Sequence, residues 1–114
     1  MSAVFVELPP FARSRQSYLA DDEFRKLQLM LMSNPTCGAV IRGTGGLRKV
    51  RFSDDRRQKG KRGGVRIIYY FWLEGSQFWL FTIYDKGEAD DLTPAERKIA
   101  KTLLEAELAA RNPK

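Results

Sequence analysis

Residues 64–84 read GVRIIYYFWLEGSQFWLFTIY. Gly64 to Leu73 is dense in β-branched and aromatic residues, which suit a pleated, buried strand. Glu74-Gly75-Ser76 makes a short hairpin loop, and Gln77 to Tyr84 returns as a second strand. A period of two puts Arg66, Ile68, Tyr70 and Trp72 on one face of the first strand and Val65, Ile67, Tyr69 and Phe71 on the other. Both faces are largely apolar, as expected of a strand at the centre of a sheet.

Upstream, Leu47 to Ser53 reads as a further strand, with Lys49 and Arg51 on one face and Val50 and Phe52 on the other. The turn Gly43-Thr44-Gly45-Gly46 precedes it, and a charged loop from Asp54 to Gly63 follows. Residues 42–66 hold ten Lys or Arg against Asp54 and Asp55, a net +8, whereas the whole chain carries +6. The positive excess therefore sits in one segment, and a polyanion is its natural partner, because Lys and Arg neutralise phosphates and release counterions. A solvated basic loop has the same composition. The alternation of these charges with Leu47, Val50, Phe52 and Val65 places several of them on ordered strands instead.

Working outward, Ala3 to Leu8 is a short strand closed by Pro9 and Pro10. A helix from Phe11 to Leu19 follows, and a second, capped by Asp21 or Asp22, runs to about Met32 with Phe24, Leu27 and Leu31 as its stripe. Asn34-Pro35 stops it. Ala39 to Ile41 is a short extended piece. Thr93-Pro94-Ala95-Glu96 starts the last helix, which reaches about Ala110 and presents Ile99, Leu103, Ala106 and Ala110 to the core. The expectation is one α+β domain over residues 1–114, in the order β-α-α-β-β-β-α: a small, twisted, mainly antiparallel sheet with an N-terminal helical hairpin and a C-terminal helix.

The composition excludes much chemistry. The 114 residues contain no histidine and one cysteine, Cys37. Ser–His–Asp hydrolysis, histidine-ligated metals, cysteine-rich zinc sites and internal disulfides are all ruled out, and a reducing compartment is implied. There is neither a Walker nor a dinucleotide-binding glycine motif. No metal or other cofactor is expected. The N-terminal residues lack the features of a secretory signal and no apolar run is long enough to span a bilayer, so a cytoplasmic protein with no membrane partner is expected.

Lys49, Arg51 and Arg66, with Lys86 beyond the last strand, could form a cationic patch with aromatic residues nearby. Such a surface suits single-stranded RNA, with cations on phosphates and rings on bases. RNA also carries its own nucleophile in the 2′-OH. A lysine crowded by other cations can act as a base, while arginine stays charged and clamps developing negative charge. Plain RNA binding remains the simpler reading of the composition.

Three motifs, GTGGLRKVRF, GKRGGVRIIYYF and LFTIYDKGEADDLTPAE, carry a resemblance in order and spacing. The chain resembles the RelE-like toxins of bacterial type II toxin–antitoxin modules, most closely the HigB branch. The resemblance implies a microbial-RNase-like fold and metal-free, ribosome-dependent cleavage of mRNA. It also implies neutralisation by a cognate, HigA-like antitoxin, with operator DNA contacted only through that antitoxin. On the family pattern Lys49 is the base, Arg51 and Arg66 are phosphate clamps, and Lys86 is the acid or a further clamp. Arg48, Lys59, Lys61, Arg62 and Tyr84 are RNA contacts. Two positions depart from the pattern: Gly87 stands where several members have arginine, and the last helix has no tyrosine. A non-catalytic RNA- or ribosome-binding module, or a co-repressor acting with a DNA-binding antitoxin, are the alternatives.

Overall fold

A computed structural model describes residues 3–53, 64–85 and 92–111. Eight elements follow one another: β1 (Val4–Glu7), α1 (Pro9–Tyr18), α2 (Asp21–Ser33), β2 (Ala39–Val40), β3 (Arg48–Phe52), β4 (Val65–Trp72), β5 (Gln77–Asp85) and α3 (Pro94–Arg111). The strands form one sheet in the order β1-β5-β4-β3-β2. All neighbours are antiparallel except β1 and β5, which are parallel. The expected α+β architecture is therefore present, and the extended piece at 39–41 becomes a two-residue edge strand.

The sheet is covered on both faces, which is why β4 is apolar on both. One face carries the α1–α2 hairpin. There Phe11, Leu19, Phe24, Leu27 and Leu31 pack on Val50, Phe52, Val65, Ile67, Tyr69, Phe78, Leu80 and Ile83. Fully burying one such side chain contributes roughly 1.5–3 kcal/mol. The other face carries α3, where Leu104 meets Ile41, Leu47, Ile68, Trp79 and Phe81.

Two details of helix placement differ from the sequence expectation. Neither Asp21 nor Asp22 caps α2. Ala20 is the N-cap, and its N–H donates to Glu23 Oε1 at 2.8 Å, while Asp21 pairs with Arg15 at 2.8 Å. The second concerns α3. Its start is as expected, with Thr93 and Glu96 exchanging hydrogen bonds of 3.1 and 2.8 Å. Its rotation is not: Leu104 is its buried residue, with Ala100 and Leu108 beside it, whereas Ile99, Leu103, Ala106 and Ala110 are exposed. The helix has two apolar stripes, and Trp79 and Phe81 select the narrower one.

The β4–β5 pairing contains an irregularity with long consequences. Ile68 pairs with Thr82, but Tyr69 pairs with Leu80, so Phe81 is an extra residue on β5. This β-bulge reverses the alternation of β5. Before it, Trp79 and Phe81 face α3; after it, Ile83 faces the helical hairpin.

The loop between α2 and β2 is latched to the sheet. The Tyr69 hydroxyl donates to the Pro35 carbonyl at 2.8 Å and accepts from the Gly38 N–H at 3.1 Å. A side chain at Gly38 would collide with the Lys49 carbonyl and the Tyr69 ring, both at 2.9 Å. Burial pushes the Tyr69 hydroxyl up from 10.0 to about 12, with Cys37 adding to the rise and the Gly38 N–H opposing it. The unfolded chain ionises this group near its ordinary value, so its stabilising contribution is intact below pH 10 and is lost as pH rises towards 12. Tyr69→Phe should lower neutral stability by about 1–3 kcal/mol, because it leaves the loop's polar groups without their partner. Denaturant titrations from pH 8 to pH 12 should also show a shallower alkaline decline for the variant than for the wild type.

Candidate functional site

The register sets the site. Arg51 pairs directly with Arg66 across β3 and β4, and Arg66 pairs with Tyr84 across β4 and β5. Directly opposed residues point to the same face, so Arg51, Arg66 and Tyr84 form a row across three strands on the α3 side. Lys49 pairs with Ile68, which pairs with Thr82, and this is the next row on the same face. The bulge at Phe81 makes the arrangement possible. With strict alternation from Trp79, Tyr84 would fall among the α1–α2 contacts.

Burial is graded across the two rows. Arg51 is exposed, Lys49 is half-buried, and Arg66 is buried. Among the described residues Arg66 is the one buried basic side chain. Tyr84 is half-buried with its hydroxyl oxygen inside. Its hydroxyl is therefore closed to a ligand, and its side chain packs against the Ile68–Trp79–Leu104 cluster. Gly64 opens β4 at a φ of +60°, where a side chain would run into the Phe52 carbonyl, and this fixes where β4 begins against β3.

Placing Arg51 opposite Arg66 sets two like charges on neighbouring strands, an arrangement that costs stability by itself. A bound anion reverses the sign of that term. Arginine keeps its charge when partly desolvated and presents a planar fork to phosphate oxygens. Burial strengthens such contacts at Arg66. The two rows thus gather Arg51, Arg66 and Lys49 on one face, side chains of the kind that suit a phosphate.

Arg48, expected among the RNA contacts, is on the opposite face from this row. It donates to the Thr36 and Gly38 carbonyls at 3.2 and 2.7 Å and so holds the same loop as Tyr69. Alternation along β3 already separated Arg48 from Lys49 and Arg51. Lys59, Lys61, Arg62 and Lys86 lie outside the described residues. The turn before β3 is structural: buried Thr44 donates to the Ile41 carbonyl at 2.7 Å and accepts from the Leu47 N–H at 3.1 Å.

No family model matches the chain. The fold is similar to that of solved toxins. A mutant of the E. coli toxin RelE in the free state aligns with a TM-score of 0.54 at 14% identity, covering 79% of this chain and 90% of that one. A chain of the intact E. coli RelBE toxin–antitoxin complex aligns at 0.53 and 14%, covering 74% and 96%. The crystal structure of isolated E. coli RelE in its P21 form aligns at 0.52 and 13%, covering 90% and 99%. The likeness is one of fold, spanning nearly the whole of each relative.

Two arginines three positions apart should respond oppositely to truncation. Arg48→Ala removes two hydrogen bonds to loop carbonyls and should cost about 1–2 kcal/mol. Arg51→Ala relieves a like-charge pairing and should be neutral or stabilising by up to about 1 kcal/mol. Paired thermal and denaturant unfolding measurements check both.

Proposed function

We propose that this chain is the toxin of a type II toxin–antitoxin module, of the HigB branch of RelE-like proteins, and that it cleaves mRNA on the ribosome. The observation that carries the reading is the Arg51–Arg66–Tyr84 row with Lys49 beside it, on a RelE-like fold. The reaction is attack of a ribose 2′-OH on the adjacent phosphorus, giving a 2′,3′-cyclic phosphate and a free 5′-OH. Lys49 takes the 2′-OH proton. Arg66 and Arg51 hold the non-bridging oxygens as negative charge grows on them. Lys86 protonates the leaving 5′-oxygen or serves as a further clamp. The Tyr84 ring stacks on a neighbouring base, and Lys59, Lys61 and Arg62 steer the strand. Arg48, which bonds the Thr36 and Gly38 carbonyls, is given no RNA contact in this reading.

A cognate, HigA-like antitoxin holds the protein inactive in the cytoplasm and brings it to operator DNA. The likeness to a chain of a RelBE complex supports a partner of that kind.

The test is to map 5′ ends of cellular mRNA after brief induction of the wild type and of Arg66→Ala. New 5′-OH ends within translated messages should appear with the wild type. They should fall by about 10²–10³-fold in the variant, the loss typical of removing one donor from a developing oxyanion. Intact messages after wild-type induction would contradict the enzymatic reading. In binding assays with a 2′-deoxy oligonucleotide, Arg51→Ala should flatten the dependence of log affinity on log salt by about 0.7, the value for one phosphate contact on a single strand. Arg48→Ala should leave that slope unchanged.

A further inference from the structure

Leu47, Lys49 and Arg51 follow one another at every second position into and along β3, so they share the α3 side of the sheet. Each step along that line is roughly 7 Å. β4 repeats the order from its own direction, with Ile68 opposite Lys49 and Arg66 opposite Arg51. The Arg51–Arg66 end of the line is cationic. The Leu47 end is apolar and hollow. There Leu47, Ile68, Phe81 and Thr82 form one side of a recess of about 160 Å³, and Ile99 and Leu103 of α3 form the other. Lys49 stands between the recess and the arginines.

The recess has the size of one flat ring, since an apolar cavity of about 150 Å³ lined by Leu, Ile and Phe accepts benzene. It can be entered from solvent, because Ile99 and Leu103 are 61% and 51% exposed. Entry need not unseat the helix. α3 is held farther along by Leu104 and Leu108, and by the Arg111 guanidinium 5.2 Å from the Trp79 ring centre. Phe81, the extra residue of the β-bulge, contributes an aromatic side chain to the wall. Two lining residues are polar, Thr82 and Glu96. Glu96 Oε1 accepts from the Thr93 N–H at 2.8 Å, and an ionised carboxylate has acceptor sites to spare. Such a group suits an exocyclic amine and repels a carbonyl. Cytosine presents an amine where uracil presents a carbonyl, and carboxylates pair with that amine.

We infer that the recess is a base slot. It takes the pyrimidine, cytosine before uracil, of the nucleotide whose 2′-OH lies at Lys49 and whose 3′-phosphate lies on Arg51 and Arg66. Base, sugar and phosphate then follow the order of recess, lysine and arginine along β3. A purine brings a second ring that the recess does not hold. The placing of the sugar and phosphate rests on the function proposed above, and the slot adds to it a rule for the base that precedes the cut.

The test is binding of three-nucleotide RNAs whose middle sugar is 2′-deoxy, so that they are not cut, with cytosine, uracil, adenine or no base in the middle. Two variants accompany the wild type. Leu103→Trp fills the recess from an exposed helix position. Glu96→Gln keeps an oxygen for the Thr93 N–H but adds an amide that can donate to uracil. Circular dichroism and thermal unfolding check that both fold. The wild type should bind the cytosine RNA about tenfold or more above the adenine and abasic RNAs, the scale on which apolar pockets discriminate, and should bind uracil RNA in between. Leu103→Trp should erase these preferences and leave affinity for the abasic RNA unchanged. Glu96→Gln should erase the preference for cytosine over uracil and leave that for uracil over adenine. Equal binding of the four RNAs, binding of none, or a preference for adenine overturns the inference. So does a pyrimidine preference that survives Leu103→Trp, or a loss of abasic RNA affinity in that variant, which would assign Leu103 to the RNA backbone. Cellular mRNA supplies the second arm. Base preference in binding with messages left whole would contradict the proposed function and retain the slot. Cuts made without regard to the preceding base would retain the function and remove the slot.

Discussion

The pairing of Arg51 with Arg66, and of Arg66 with Tyr84, is the constraint on which the site depends. It follows from three backbone facts: the turn at Gly64 that leads into β4, the antiparallel register of β3 against β4, and the extra residue Phe81 in β5. Remove the last, and the face presented by Ile83 and Tyr84 inverts. One inserted backbone unit thereby joins a ring from β5 to cations from β3 and β4. The like-charge opposition that results is disfavoured in the free protein, and it is the kind of local cost that functional surfaces carry.

Much of this was legible in the sequence, and the reasons are physical. Strands β3, β4 and β5 are marked by β-branched and aromatic density, and the last helix by a capping box whose two hydrogen bonds form. Lys49 and Arg51 share a face by simple alternation. The position of Arg66 relative to them required a register, which residues in the connecting loop do not encode. Tyr84 was the least legible, because a bulge leaves no signature in a run as uniformly apolar as QFWLFTIY. Arg48 was grouped with its neighbours by charge, although alternation sends it to the loop carbonyls on the other side.

The last helix shows a different kind of ambiguity. Its sequence offers Ile99–Leu103–Ala106–Ala110 and Ala100–Leu104–Leu108 as rival stripes, and hydrophobic spacing alone favours the longer first. The sheet decides otherwise: Trp79 and Phe81 take Leu104, and the Arg111 side chain lies over Trp79. The stripe left outside, with Ile99 and Leu103, stays exposed.

Side-chain NMR of the arginine Nε–H groups, titrated with a 2′-deoxy trinucleotide that cannot be cleaved, tests the central claim most directly. The Arg51 and Arg66 signals should shift together and saturate at one concentration, with Arg48 unmoved. A shift at Arg48 with Arg66 silent would place the anion on the other side of the sheet and contradict it.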